Sequence, residues 1–306
     1  MRMTKPGSSL NMKIRFKRNA FRYPVTFIIP AFLIYAVFFI YPTLSGFYYS
    51  FTDWNATNTN INFVGFKQFI EVFKNPDLNR AMWNTLVYSI TITVVKNIFA
   101  IALAVALNTG IKTKSTLRAI YFSPAILNVV AMGLIFQGLL NPFTGFVNNS
   151  LRGLGLDFLA LGWIGDPKLA IHCTSLMEIW RATGISMAIY LAGLQTISKD
   201  YYEASTIDGA SGWKKFTKIT LPLLMPAITI NIMLCLIYGF RMFEVIYFLT
   251  QGGPGTSSEV MMTLVYKYMG MGLYGYGAAI NMILVIFIVA VTIPILIFMI
   301  RKEVAH

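Results

Sequence analysis

The segment Gly277-Ala-Ala-Ile-Asn-Met-Ile-Leu-Val-Ile-Phe-Ile-Val-Ala-Val-Thr-Ile-Pro-Ile-Leu-Ile-Phe-Met-Ile300 decides the fold, because it carries no charged residue along its whole length. A helix that crosses the hydrocarbon core of a bilayer needs about 20 predominantly apolar residues. This segment is long enough, and its only strongly polar side chains are Asn281 and Thr292. It therefore predicts a membrane-spanning helix.

The composition of the whole chain supports the same conclusion. Hydrophobic residues make up 56% of the 306 residues, charged residues only 12%, and the mean hydropathy is +0.63. A soluble domain carries roughly 25% charged residues. Half of that supply does not cover the surface of a water-soluble globule, and disordered chains are polar and poor in aromatic residues. The chain is expected to be an integral membrane protein.

Five further segments resemble the one at the C-terminus in length and apolar character. We predict an all-α membrane protein whose six transmembrane helices fill residues 24–300 and follow a basic tail at 1–23. The boundaries are set by apolar runs, so they are approximate. The predicted spans lie near 24–50, 84–109, 117–140, 169–194, 223–249 and 277–300.

The distribution of Lys and Arg predicts the orientation of these spans. Of the 25 basic residues, 16 fall in the two termini and the two loops that share their side, 6 fall in the other loops, and 3 fall within spans. Loops rich in Lys and Arg stay in the cytoplasm, so both termini are predicted to be cytoplasmic. Topology and attraction to lipid headgroups thus account for the +13 net charge, and nucleic-acid binding is not expected.

The cytoplasmic loop at 195–222 has the signals of two short helices. Ser198 or Asp200 can cap the first helix, and Asp200 with Glu203 matches a capping box. Gly209 suits the left-handed residue that ends it, and Ser211 can cap the second. Two roles are open: a stiff lever that a partner moves, or an interfacial helix that places Trp213 in the lipid.

This loop also carries a recognisable pattern, Glu203-Ala204-Ser205, Asp208-Gly209-Ala210 and Ile219-x-Leu221-Pro222. It resembles the EAA loop of bacterial ABC-importer permeases, and the likeness extends along nearly the whole chain to the maltose, glycerol-phosphate and multiple-sugar branch. The other matching stretches are Ile29-Pro30-Ala31, Phe39-Ile40-Tyr41-Pro42, Ser50-Phe51-Thr52-Asp53-Trp54-Asn55, Phe63-Val64-Gly65-Phe66, Leu191-Ala192-Gly193-Leu194-Gln195 and Leu249-Thr250-Gln251-Gly252-Gly253-Pro254-Gly255.

The resemblance implies the type I importer permease fold, a place in the bacterial cytoplasmic (inner) membrane, and a role as half of a carbohydrate pore. The implied partners are a second, homologous permease, two ATPase subunits and an extracellular or periplasmic sugar-binding protein. The first helix of the loop would dock in a cleft of the ATPase. The coupling residues that carry over are Glu203, Ala204, Ser205, Asp208, Gly209 and Ala210, with Ser205 departing from the usual alanine.

Sequence features argue against catalysis by the chain itself. The pattern Gly-x-x-x-x-Gly-Lys-Ser/Thr is absent, so ATP and Mg²⁺ are expected on the partner ATPase and no cofactor on this chain. His172 and His306 are the only histidines, and neither they nor Cys173 and Cys235 have metal-ligand spacing. The rival function is a stand-alone secondary sugar transporter, which often contains internal inverted repeats. No motif is duplicated between the two halves.

Polar residues inside the predicted spans are candidates for the substrate path, because sugar sites combine polar side chains with aromatic faces. Alternatives remain for each: Arg241 and Glu244 could neutralise each other, Glu178 and Arg181 could form a structural clamp, and single polar residues could join helices. Lys96 is expected to have an acidic or backbone partner. The Gln251–Gly255 loop either reaches toward the binding protein or is a plain turn. The substrate-path candidates are Tyr190, Asn231, Tyr238, Arg241, Glu244 and Asn281.

Overall fold

The computed structural model describes residues 27–57 and 60–304, so the predicted basic tail at 1–23 lies outside the described residues. The chain divides into two units, Met1–Gly46 and Phe47–His306. The first helix, α1 (Ile29–Tyr49), begins in the first unit with Pro30 in its first turn and contains a π-helical turn at Ala36–Ile40. Proline suits this position, because the first N–H groups of a helix have no partner within it.

Helices also make up the second unit, and an isolated antiparallel bridge joins Thr52 to Phe63. The predicted all-helical fold is confirmed. The helices are α2 (Lys67–Lys74), α3 (Pro76–Leu107), α4 (Lys114–Phe122), α5 (Val129–Leu139), α6 (Phe146–Gly153), α7 (Ala170–Gln195), α8 (Lys199–Ile207), α9 (Gly212–Leu223), α10 (Met225–Phe240), α11 (Glu244–Thr250), α12 (Met261–Gly270) and α13 (Tyr274–Val304).

Three of the described helices, α1, α3 and α13, are long and apolar enough to cross a membrane. Two bent helix pairs raise the number to five if each is one span. Helix α7 has 26 residues but is not among them. Its buried hydroxyl and charged side chains lower its mean hydropathy, and several of these hydroxyls bond to carbonyls of the preceding turn. Six spans thus stay a prediction.

The segment predicted as one span at 117–140 is two helices rather than one. Helix α4 continues into a 3₁₀ turn at Ser123–Ile126, and α5 leaves at an angle of 92°. Pro124 begins the break, and the side chain of Asn128 accepts hydrogen bonds from the N–H groups of Val130 and Ala131. The structure differs from the predicted continuous helix because Asn128 caps the start of a new helix inside the apolar run.

The segment predicted as a span at 223–249 is also interrupted. Helices α9 and α10 meet at 68° around Leu224, between Pro222 and Pro226. Helix α10 then ends at Phe240, and α11 begins at Glu244. The prolines account for the first bend, because each removes a backbone donor.

Three clusters of buried apolar side chains hold the second unit together, and α3 contributes to all of them. Helix α3 packs along α7 and α10. Gly239 of α10 lies so close to α3 that a Cβ would sit 2.9 Å from Ile92 Cδ1 and 3.0 Å from Ser89 Cα. Small residues permit such approach between membrane helices. The polar side chains of α3, α7 and α10 are thereby brought together.

Candidate functional site

Helix α8 begins as the sequence pattern indicated, with one difference at its cap. The Oγ of Ser198 accepts a hydrogen bond from the N–H of Asp200 at 3.3 Å. Asp200 thus lies in the first turn and is not the cap, so the capping box between Asp200 and Glu203 does not form. The Glu203 carboxylate is left exposed.

The end of α8 is a Schellman motif built on Gly209. Gly209 has φ +70°, its N–H donates to the carbonyl of Thr206 at 3.1 Å, and the N–H of Ala210 donates to the carbonyl of Ser205 at 2.9 Å. Glycine adopts this left-handed conformation without the penalty that a Cβ causes. Ser205 itself is buried, which accounts for a small residue at this position.

Side-chain hydrogen bonds fasten α8 to α9. The Nζ of Lys215 donates to Oγ1 of Thr206 at 2.8 Å, and the hydroxyl oxygens of Tyr202 and Thr220 lie 3.0 Å apart. Ser211 caps α9 by accepting from the N–H of Lys214 at 3.3 Å. The two helices are therefore coupled at both their near and far ends.

The opposite side of α8 is available to a partner. Ile207 is 88% exposed, and Tyr201 is 55% exposed. Within the described residues Glu203 makes no ion pair. The outward face combines a carboxylate with apolar side chains, and the predicted coupling residues that it exposes are Glu203, Ala204, Asp208 and Gly209, while Ala210 is half-buried.

The membrane-embedded part contains a cavity of about 640 Å³ between α3, α7, α10 and the start of α11. Such a volume falls in the range of small-molecule sites. Four of the predicted substrate-path residues line it. The lining consists of Lys96, Glu178, Arg181, Ala182, Ile185, Ser186, Ile189, Asn231, Leu234, Cys235, Ile237, Tyr238, Arg241 and Glu244.

Glu178 and Arg181 form a clamp on one wall of the cavity. Arg181 donates from Nε to Oε2 of Glu178 at 2.9 Å and from Nη2 to Oε1 at 3.1 Å. The same Nη2 donates to the hydroxyl of Tyr238 at 2.7 Å, which joins α7 to α10. Bidentate arginine–carboxylate pairs are among the strongest hydrogen-bonded contacts. Glu178 is fully buried and fixes the Arg181 side chain within α7, and the Arg181–Tyr238 bond is the contact between the two helices.

Lys96 departs from the expected arrangement. Its side chain lines the cavity, and among the described residues it has neither an acidic nor a backbone hydrogen-bond partner. Its Nζ lies 5.8 Å from the centroid of the Tyr238 ring, which is a cation–π contact.

Arg241 and Glu244 do not share a helix face. Arg241 is the C-cap of α10, and Glu244 begins α11 after a break at Phe243. No ion pair within 4.0 Å joins them in the described structure. The predicted neutralisation assumed three residues of continuous helix, and the break removes that spacing.

Behind the cavity, Asn97 is the centre of a buried polar network. Its Oδ1 accepts from the hydroxyl of Tyr190 and from Nδ2 of Asn231, the latter at 2.7 Å. Tyr190 is fully buried and supports Asn231 without lining the cavity. The sequence reasoning missed Asn97, although a Lys96-Asn97 pair within an apolar run was a signal.

Two remaining predictions concern metals and Asn281. The structure places Asn281 on an exposed face of α13 and outside the cavity lining. Across residues 27–57 and 60–304, no group of three or more His, Cys, Asp or Glu side chains is arranged to hold a metal ion.

The loop after α11, predicted to lie outside the membrane, is a closed turn anchored to α3. Asn84 Nδ2 donates to the carbonyls of Ser257 and Glu259, each at 2.9 Å, and Arg80 Nη1 donates to Oγ1 of Thr256 at 2.6 Å. Gln251, Gly252 and Gly255 have positive φ, which the tight turn requires.

Comparisons with known proteins agree with these features. The family model described as "binding-protein-dependent transport system inner membrane component" matches residues 96–302, which include both the cavity and the loop at 195–222. A relative in Streptococcus mutans, the multiple sugar-binding transport system permease protein MsmF, is 33% identical over 243 residues, 79% of this chain and 83% of the relative.

Two solved structures have the same fold. One is the crystal structure of a bacterial ABC transporter involved in the import of the acidic polysaccharide alginate, with a TM-score of 0.76, 25% identity, and coverage of 91% of this chain and 93% of that chain. The other is a bacterial alginate ABC transporter in complex with an alginate pentasaccharide-bound periplasmic protein, also with a TM-score of 0.76 and 25% identity, covering 92% and 93%. This chain belongs to the binding-protein-dependent transport system inner membrane components, the multi-pass permease subunits of ABC transporters.

Proposed function

We propose that this chain is one half of a heterodimeric pore that imports a carbohydrate at the expense of ATP hydrolysed on another subunit. The observation that carries the proposal is the rigid, capped helix α8 with its exposed carboxylate, within a region that matches the permease family. The sugar named for MsmF and the alginate named for the solved transporter support a saccharide cargo.

Coupling follows from the hydrogen bonds around α8. The exposed face with Glu203 and Ala204 docks on the ATPase, and Glu203 meets a basic residue there. When the ATPase closes, the push passes through Tyr202 and Thr220 to α9, and from α9 to α10. Helix α10 lines the cavity, so its displacement changes access to the cargo.

The assembly that this mechanism requires has five chains, four of which are partners of this one. The partners are a second, homologous permease, two ATPase subunits that bind ATP and Mg²⁺, and a sugar-binding protein outside the membrane. The solved complex with a periplasmic protein supports the binding-protein partner. In this arrangement the loop at 195–222 and both termini face the cytoplasm of a bacterial inner membrane, and this chain itself binds no cofactor.

The cavity is the cargo path in this proposal. Asn231 offers an amide, Tyr238 an aromatic ring, and Arg241 and Glu244 charged groups to the same space. Tyr190 positions Asn231 through Asn97. Asn281, on an exposed face of α13, is left out of the path.

Affinity purification of the tagged chain from its host membrane, followed by reconstitution in lipid vesicles, tests this function. An importer co-purifies with an ATPase subunit and accumulates a saccharide only with ATP and the binding protein. Accumulation by vesicles that contain this chain alone would instead establish the secondary transporter.

A further inference from the structure

Lys96 is a buried cation that forms no ion pair with the described residues. It lies in the middle of α3, and only 4% of the residue is exposed. No carboxylate of the described residues lies within 4.0 Å of its Nζ, and no acceptor forms a hydrogen bond with it. Its Nζ lies 5.8 Å from the centroid of the Tyr238 ring, and its charge also acts on the carboxylate of Glu178 at a distance longer than an ion pair.

The acidic residues of the cavity do not compensate for this charge. Both carboxylate oxygens of Glu178 already accept hydrogen bonds from Arg181, one from Nε and one from Nη2. Glu244 is exposed at the rim and lies beyond ion-pair distance from the cavity's cations. The lining therefore contains three cations, Lys96, Arg181 and Arg241, against two carboxylates. The cavity has an excess of one positive charge.

A buried ammonium group in a membrane protein is costly unless a partner neutralises it. The cation–π contact offsets only part of that cost, because it is weaker than an ion pair. The cavity of about 640 Å³ gives a solute access to Lys96. An anionic solute that enters the cavity neutralises the charge of Lys96 for as long as it stays bound.

We propose that the cargo is an anionic saccharide and that its carboxylate, sulfate or phosphate group pairs with Lys96. This inference rests on the proposed importer function and adds the charge of the substrate to it. Tyr238 then serves twice, because its ring contacts Lys96 while its hydroxyl is held by Arg181. Asn231, on the same cavity wall, donates to or accepts from sugar hydroxyls.

A lysine suits such a role because its ammonium is a compact point charge on a flexible stem, which tolerates several anion geometries. The rival partner is a carboxylate of the second permease. In that case Lys96 would hold the heterodimer together, and its loss would reduce assembly for every cargo alike.

The test uses the complete importer with its own binding protein, reconstituted in vesicles, and a panel of uronic-acid oligosaccharides. Each acid is paired with its neutral methyl ester, and maltotriose is added as a neutral sugar. Lys96→Met removes the charge at nearly constant length, and Lys96→Arg keeps it. Lys112→Met is the matched control, because Lys112 is exposed in the turn between α3 and α4. The amount of assembled complex is measured for each variant.

The expected result is ATP-driven uptake of at least one acid, with much lower uptake of its ester. Lys96→Met should reduce acid uptake tenfold or more at unchanged assembly, whereas Lys96→Arg and Lys112→Met stay near the unsubstituted rate. Uptake confined to esters or maltotriose, acid uptake that persists in Lys96→Met, or a loss of assembly in that variant overturns the anionic assignment alone. If no saccharide accumulates with ATP, the proposed importer function itself fails.

Discussion

The hydroxyl oxygens of Tyr202 and Thr220 lie 3.0 Å apart and join the first helix of the 195–222 loop to the second. Tyr202 is on α8, which carries the exposed Glu203, and Thr220 is on α9, which leads into α10. Thr220 is buried and Tyr202 is half-buried, so the bond is partly shielded from water. This contact links the helix with the exposed Glu203 to the helix that leads into the cavity wall.

Removing this hydrogen bond should weaken coupling. Tyr202→Phe deletes one hydroxyl and leaves the ring, at a cost of about 1 kcal/mol. We expect sugar uptake to fall about fivefold, with more ATP hydrolysed per sugar transported. Tyr121→Phe is the control, because the Tyr121 side chain is exposed on α4, outside the 195–222 loop, and makes no hydrogen bond in the described structure. Equal ratios of uptake to hydrolysis in the two variants would contradict the role of Tyr202.

A side chain at Gly209 should disturb the end of α8. Gly209 has φ +70° and open space around it, so Gly209→Val adds backbone strain without a steric clash. That strain is about 1–2 kcal/mol, and we expect ATP hydrolysis that no longer drives uptake, measured in vesicles. Gly212→Ala is the matched control, since Gly212 has equally open space but no positive φ. Uptake that persists in Gly209→Val would remove the coupling role of this helix end.

The Glu178–Arg181 pair should determine stability. Arg181→Met leaves the fully buried Glu178 carboxylate without its two donors, and breaking one side of a buried ion pair costs about 3–5 kcal/mol. We expect a melting temperature several degrees lower for the purified complex. The double variant Glu178→Gln with Arg181→Met should recover much of this loss, because the buried carboxylate that lost its donors is replaced by a neutral amide. A single variant that melts like the unsubstituted protein but loses transport would identify Arg181 as a cargo contact instead.

Glu259 in the outer loop should make stability depend on pH. Burial raises the pKa of its carboxyl above the ordinary value of 4.5, although Lys267, at 3.5 Å, acts in the opposite direction. The folded protein therefore binds the proton more tightly than the unfolded chain does, and the free energy of unfolding falls as the pH rises through the window between the two pKa values.

The Glu259→Gln variant checks this sign. It should melt at the same temperature as the unsubstituted protein below about pH 4, where both side chains are neutral, and at an equal or higher temperature near neutral pH. Lys267→Met should melt lower near neutral pH, because it leaves the carboxylate unpaired. If Glu259→Gln instead melts below the unsubstituted protein near neutral pH, the ion pair outweighs the cost of burial.

The sequence was sufficient for the helical class, the family and the caps of the 195–222 loop. These depend on local signals: apolar runs, Ser198 and Ser211 before helices, and Gly209 after one. Each of these signals acts within a few residues, so the ends of these helices can be predicted from the amino-acid sequence without knowledge of the tertiary packing.

The interruptions inside apolar runs and the partners of polar side chains were not predictable in this way. Apolarity alone does not distinguish a straight helix from the 92° bend before Asn128, and the end of α10 at Phe240 separated Arg241 from Glu244. Asn97 joins Tyr190 and Asn231 from different helices. Such contacts depend on how α3, α7 and α10 pack, which a single sequence does not specify.

The most direct test of the central claim is cross-linking from residue 203. Glu203→Cys offers an exposed thiol on α8, while the natural Cys173 and Cys235 are buried. In intact cells, a membrane-impermeant maleimide should label the control Lys168→Cys, in a loop predicted to lie outside, but not the thiol at residue 203. In inverted vesicles, the thiol at residue 203 should cross-link to the ATPase subunit in a nucleotide-dependent manner. Labelling of residue 203 from outside the cell, or no cross-link to an ATPase in any nucleotide state, would contradict the account.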